Sequence, residues 1–237
     1  MKRVYVCALA LVGLFSSTAR AFLIDDFDSF QSVYITTAAP ASQQSVLADA
    51  AVLGGWRGLY VNKTTGGTGF TNAVAAESNG DGLNTFQVSN GTHSDSTVIL
   101  TWDGNGAGLG GIDITDAGAA KGVFIKLLVT DMPNASLKFD VFSSSGASSS
   151  SILVTQVVSG VNLYAPFSGF VGTANFSQIT SFKLTLDGVT SWDAAFDTIH
   201  TGPAPITTTS ADLPEPAPLA LLGLGLALLG LSQRRRR

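Results

Sequence analysis

Between residues 22 and 202 the chain is divided into short runs in which apolar and polar positions alternate. Leu137, Phe139 and Val141 interleave with Ser136, Lys138 and Asp140, and Phe182, Leu184 and Leu186 with Ser181, Lys183 and Thr185. A period of two places the two sets on opposite faces of a strand, so each run reads as a strand with one buried face. Strands are predicted on this basis over 85–89, 96–102, 122–130, 136–142, 151–158, 180–187 and 195–200. Ser, Asn, Asp and Gly clusters such as 78–82 and 143–147 separate them, and these residues favour turns. One short helix is expected over 45–53. No internal repeat is visible, which argues against a solenoid or propeller. The pattern predicts an all-β fold, an antiparallel jelly-roll-like β-sandwich forming one domain over 22–202.

The two ends follow a different pattern. Lys2 and Arg3 precede an apolar run, and Ala19-x-Ala21 follows it. A charged start, a short apolar stretch and small residues at the boundary predict a cleaved signal peptide over 1–21, with Ala19 and Ala21 marking the cleavage site. About 12 apolar residues are too few to cross roughly 30 Å of hydrocarbon. Beyond a Thr- and Pro-rich linker over 203–213, Pro214, Glu215 and Pro216 lead into a Leu-, Ala- and Gly-rich stretch that predicts a short transmembrane helix over about 217–232. Arg234, Arg235, Arg236 and Arg237 close the chain, a cytoplasmic stop-transfer block by the positive-inside rule. Pro214, Pro216 and Pro218 disfavour helix and keep the segment before the apolar stretch extended.

A Pro-Glu-Pro triplet, a short Leu/Gly-rich helix and an Arg cluster, in that order, resemble the PEP-CTERM sorting domain, also catalogued as an ice-binding protein C-terminal motif. The resemblance covers about the last 25 residues. It implies a Gram-negative source, recognition of Pro214, Glu215 and Pro216 by an exosortase, passage through an inner-membrane intermediate, and delivery to the cell surface or an exopolysaccharide or biofilm matrix. The protein would be the substrate of that enzyme. The segments Ile24-Asp-Asp-Phe27, Leu53-Gly-Gly-Trp-Arg57 and Trp102-Asp-Gly also look like bodies found on PEP-CTERM proteins. That second likeness implies architecture and no substrate.

Composition narrows the partners. Seven of the 13 basic residues lie in the terminal segments, which leaves six against 17 acidic ones. A body this acidic argues against nucleic acid and leaves cations or neutral sugars as the easier partners. The single cysteine, Cys7, falls in the signal peptide, so the exported body has neither disulfides nor thiol chemistry.

Candidate chemistry is sparse. Trp56 with Arg57, Trp102 and Trp192 are candidates for sugar contact, because an aromatic face suits the apolar face of a pyranose. Asp25, Asp26, Asp193 and Asp197 offer the hard oxygen ligands that calcium takes, and terminal strands of a sandwich often lie side by side; no other cofactor is expected. The formal G-x-G-x-x-G match at 106–111 reads as a glycine-rich turn, with 112–115 as a further β segment. No pair of carboxylates or nucleophile elbow stands out, and His93 and His200 lack metal-ligand spacing, so a non-catalytic protein is expected. An extracellular hydrolase acting on matrix glycans is the alternative.

Overall fold

The computed structural model describes residues 21–75 and 84–205. The signal-peptide prediction up to residue 20 (including Ala19), the turn cluster at 78–82, most of the linker, the sorting triplet, the transmembrane helix and the arginine block lie outside the described residues. Among those described, no helix is long and apolar enough to cross a membrane.

Fourteen strands occur in the described residues: β1 (Phe22–Asp25), β2 (Gln31–Ile35), β3 (Ala41–Ala48), β4 (Trp56–Thr65), β5 (Thr71–Ala75), β6 (Phe86–Asn90), β7 (Asp95–Trp102), β8 (Gly122–Thr130), β9 (Ala135–Ser143), β10 (Gly146–Val154), β11 (Ser159–Pro166), β12 (Val171–Gly172), β13 (Ile179–Asp187) and β14 (Asp193–Gly202). They form two antiparallel sheets. The first runs β11-β8-β14-β6-β5-β2, with β1 pairing along the far half of β14; the second runs β12-β10-β9-β13-β7-β4-β3. Consecutive strands repeatedly change sheet, as β2 to β3, β4 to β5 and β8 to β9 do.

The core between the sheets is made by the alternating residues that the sequence points to. Leu137, Phe139 and Val141 of β9, Phe182, Leu184 and Leu186 of β13, and Val98, Leu100 and Trp102 of β7 are all buried. They face Val123, Ile125 and Leu127 of β8, Phe86 and Val88 of β6, and Phe196 and Ile199 of β14 from the first sheet. Burial of one such side chain contributes about 1.5–3 kcal/mol.

Three local expectations are corrected. Residues 45–53 do not form a helix: 41–48 are β3, paired residue for residue with β4 from Ala41 opposite Lys63 to Ala48 opposite Trp56, and only 53–55 form a 3-10 turn. A partner strand that satisfies every other amide outweighs the weak helical preference of Val46, Leu47 and Ala48. Strand β10 lies earlier than expected, because the turn uses only Ser144 and Ser145 and Gly146 already pairs with Ser143. Residues 112–115 are not a strand; Ile112 makes a single bridge to Ile179, and Ile114 is held by its amide to the Phe176 carbonyl.

Strand β4 organises the site described next. Its inward positions are Arg57, Leu59, Val61 and Lys63, all buried, and its outward ones are Trp56, Gly58, Tyr60 and Asn62. Charged residues therefore face in and aromatic residues face out, the reverse of an ordinary amphipathic strand.

Candidate functional site

Arg57 and Trp102 are not surface residues. Both are 0% exposed, which corrects their expected role in sugar contact; Trp192 is buried as well. The Arg57 guanidinium donates from Nη1 to Asp25 Oδ1 and Oδ2 at 2.8 and 3.0 Å, from Nε to Gln31 Oε1 at 2.8 Å, and from Nη2 to the Ser29 carbonyl at 2.6 Å. It also lies over the Phe27 ring. Asp25 accepts two more bonds, from the Phe27 amide at 2.8 Å and from Trp102 Nε1 at 2.9 Å. Burial pushes the Asp25 carboxyl above its usual range, while Arg57, the Phe27 amide and the Trp102 ring N–H pull it back. This cluster ties β1 and the start of β2 in the first sheet to β4 and β7 in the second. Arg57 and Trp102 are thus a clamp between sheets, with their polar atoms consumed inside.

Trp56 is placed differently. It faces solvent from the outer side of the second sheet, where it lines a cleft of about 330 Å³ together with Tyr60, Gln44, Thr101, Asp103 and Asn105. The register explains the cleft. Trp56, Gly58 and Tyr60 project from the same face of β4, Val46 stands opposite Gly58 on one side and Thr101 on the other, and Gln44 and Ile99 flank Tyr60 in the same way. Gly58 carries no side chain, so two aromatic residues roughly 13 Å apart along the strand border an open floor.

The far wall is the loop after β7. The Gly106 amide donates to Asp103 Oδ1 at 3.0 Å, the Gly108 amide donates to the Asp103 carbonyl, and Asn105 adopts φ 56°. At Gly104 the backbone has φ +63°, and a Cβ would stand 2.8 Å from the Gly108 carbonyl oxygen, so glycine is required for the loop to close. The formal G-x-G-x-x-G match sits in this turn, and the single bridge at Ile112 follows it where a phosphate site would need a helix.

The four aspartates are distributed over separate partners. β1 and β14 do lie side by side, with Leu23 opposite His200, yet Asp25 is committed to Arg57, Asp193 Oδ1 accepts from the Asn90 amide, and Asp197 pairs with Lys126 at 2.8 Å. Asp26 caps its own turn by accepting from the Asp28 amide. Among the described residues no group of three or more His, Cys, Asp or Glu is arranged to hold a metal ion. Of the histidines, His200 stacks on Phe124 with ring centroids 5.2 Å apart, and burial holds its pKa below the usual value.

Tyr60 and Gln44 are lining residues that the sequence reading misses. The alternation of β4 exposes Tyr60 once Arg57 and Lys63 are read as inward-facing, but nothing local to Gln44 marks it.

The fold and the cleft together define the class: an all-β sandwich domain with a solvent-facing aromatic cleft on one sheet. Neither a protein-family profile nor a curated protein sequence matches this chain. Among solved structures it is similar to the family 11 carbohydrate-binding module from Clostridium thermocellum in complex with a β-1,3-1,4-mixed-linked tetrasaccharide, at 12% identity over 81% of this chain and 100% of that one, with a TM-score of 0.38. The solution structure of CtCBM11 gives 16% identity over 81% and 99% of the two chains and a TM-score of 0.44. An exo-β-agarase gives 12% identity over 62% of this chain and 23% of that one, with a TM-score of 0.37. At these identities and scores the likeness carries no information about ligand or activity.

Proposed function

We propose that this domain is a non-catalytic glycan-binding module of an exported surface or matrix protein, and that the cleft on the second sheet takes a neutral sugar chain. The observation that carries the reading is the outward placement of Trp56 and Tyr60 on either side of Gly58. Their ring faces offer apolar contact to a pyranose, and Gln44, Thr101, Asp103 and Asn105 supply the donors and acceptors its hydroxyls need. The acidic body disfavours polyanions.

Two substitutions test this on a glycan array and in affinity electrophoresis. Trp56→Ala is expected to weaken binding about tenfold or more, the equivalent of about 1.4 kcal/mol. Gly58→Val is the sharper variant. A Cβ at Gly58 meets only the Thr101 carbonyl oxygen at 3.6 Å and Thr101 Cβ at 3.7 Å, which are ordinary contacts, so valine suits the strand and fills the cleft floor. Affinity should fall at least as far as with Trp56→Ala while the thermal midpoint holds. Undiminished binding by both variants would sink the cleft, and release of shortened glycan would favour the hydrolase alternative.

For the tail, we infer exosortase sorting through Pro214, Glu215 and Pro216, with the apolar stretch and Arg234 to Arg237 holding the protein at the inner membrane until processing. The order of triplet, apolar stretch and arginines supports this. C-terminal peptide mass spectrometry on the surface-associated protein is expected to find chains lacking the arginine block. Recovery of intact Arg237 there would make the tail a permanent anchor.

A further inference from the structure

We propose a second glycan-binding face on the opposite sheet, which makes the domain a bridge between two polysaccharide chains. The second face stands on its own geometry; the bridge rests also on the cleft reading above.

On the outer side of the first sheet, register aligns a row of side chains across four strands. Tyr34 of β2 stands opposite Asn72 of β5, Asn72 opposite Ser89 of β6, and Ser89 opposite Asp193 of β14. Asp131 continues the row beside β14: its amide donates to the Asp193 carbonyl, and its Oδ1 accepts from the Asp193 amide at 2.8 Å. A parallel row holds Ser32, Val74, Gln87 and Ala195. From Tyr34 to Asp193 the row covers three strand spacings, roughly 14 Å.

One end of this row carries an aromatic platform. The rings of Tyr34 and Phe70 lie nearly parallel, 20° apart with centroids at 6.1 Å, and the two residues are 53% and 40% exposed. They are not core residues, so core packing does not account for them. The other end is a depression of about 260 Å³ lined by Gln87, Ser89, Val129, Asp131, Asp193 and others. Neither row contains Lys or Arg; apart from the apolar Val74 and Ala195, their side chains carry amides, hydroxyls and carboxylates.

These features specify the occupant. An exposed aromatic pair followed by acceptors and amide donors matches a polymer with apolar ring faces and hydroxyl edges. Two carboxylates without a cation in the rows repel acidic glycans and nucleic acid and leave a neutral sugar chain. The outer faces of a two-sheet sandwich point in opposite directions, so one straight chain cannot occupy this face and the Trp56 cleft together. Two chains can.

The test uses the full chain and four forms: wild type, Trp56→Ala, Tyr34→Ala/Phe70→Ala, and the combination. Mixed-linkage β-glucan and galactan serve as soluble probes in affinity electrophoresis, and beads coated with each report bridging by clumping. Each single-face variant is expected to keep residual retardation, the combination none, and only wild type should clump beads. Apparent affinity for the coated beads should fall about tenfold or more when either face is lost, because two-point attachment is lost. If Tyr34→Ala/Phe70→Ala is retarded and clumps beads like wild type, while Trp56→Ala abolishes binding, the second face is refuted and the cleft stands. If Trp56→Ala changes nothing while the double variant abolishes binding, the cleft and the bridge both fall. No retardation of wild type by either probe overturns both proposals, and self-association without glycan that Tyr34→Ala/Phe70→Ala removes makes the face a contact between copies.

Discussion

Replacing Asp25 by alanine is expected to destabilise the domain by about 3–5 kcal/mol, because it leaves the Arg57 guanidinium buried without its counter-ion. Both side chains are fully removed from solvent, so water cannot take over the role of the carboxylate without opening the sandwich. The Trp102 ring N–H and the Phe27 amide lose an acceptor in the same step. In a domain of this size the loss corresponds to a fall of about 6–20 °C in thermal midpoint. Asp25→Asn keeps an oxygen for one of these donors and is expected to fall between wild type and alanine. The double variant Asp25→Leu/Arg57→Met removes the charge pair entirely and should recover much of the loss, since an apolar replacement of a buried pair is often neutral. Urea unfolding of the three variants checks this. A loss below about 1 kcal/mol for Asp25→Ala would show that the clamp contributes specificity of packing and little stability.

Lys63→Met is expected to cost about 3 kcal/mol. Lys63 is fully buried, and its ammonium has backbone carbonyls for partners: Thr37 at 2.9 Å, Gly67 at 2.6 Å and Gly69. Methionine preserves the apolar stem and removes the three donors, leaving those carbonyls to find water or stay unpaired. The effect should also be local. The loop between β4 and β5 is joined to the approach to β3 through the Ala39 amide, which donates to the Gly66 carbonyl. Faster hydrogen exchange at Ala39, along with a lower urea midpoint, is the expected signature. A lower midpoint with unchanged exchange there would mean that the lysine acts through the core and not through this loop.

These two buried charges also explain which strands were legible in the sequence. β7, β9 and β13 alternate apolar and polar positions with the apolar set inward, β8 is a near-continuous apolar run interrupted by Lys126, and the predicted ranges of all four agree with the observed ones to within a residue or two. β4 was missed because Arg57 and Lys63 occupy inward positions while Trp56 and Tyr60 occupy outward ones, so hydropathy alone averages to no pattern. β3, with Ser42, Gln43, Gln44 and Ser45 in succession, carries little apolar signal on either face and is held by its ladder to β4. The candidate site suffered from the same inversion. Trp56 does face outward, but its neighbour Arg57 and the distant Trp102, grouped with it on residue type, both face the interior.

The sequence by itself determined the all-β class, the strand periods of the central sheet positions, the absence of cysteine from the body and the body's acidic balance. Each of these is local or additive, so it survives without knowledge of neighbours. Only the tertiary structure decided which polar residues are consumed in the core and which remain for a ligand. Arg57 meets Asp25 across 32 residues of sequence, and Trp102 meets it across 77. Such partnerships follow from which strands are neighbours and in what register. A shift of one residue in that register would turn Arg57 outward and Trp56 inward, and the clamp and the cleft would both be lost.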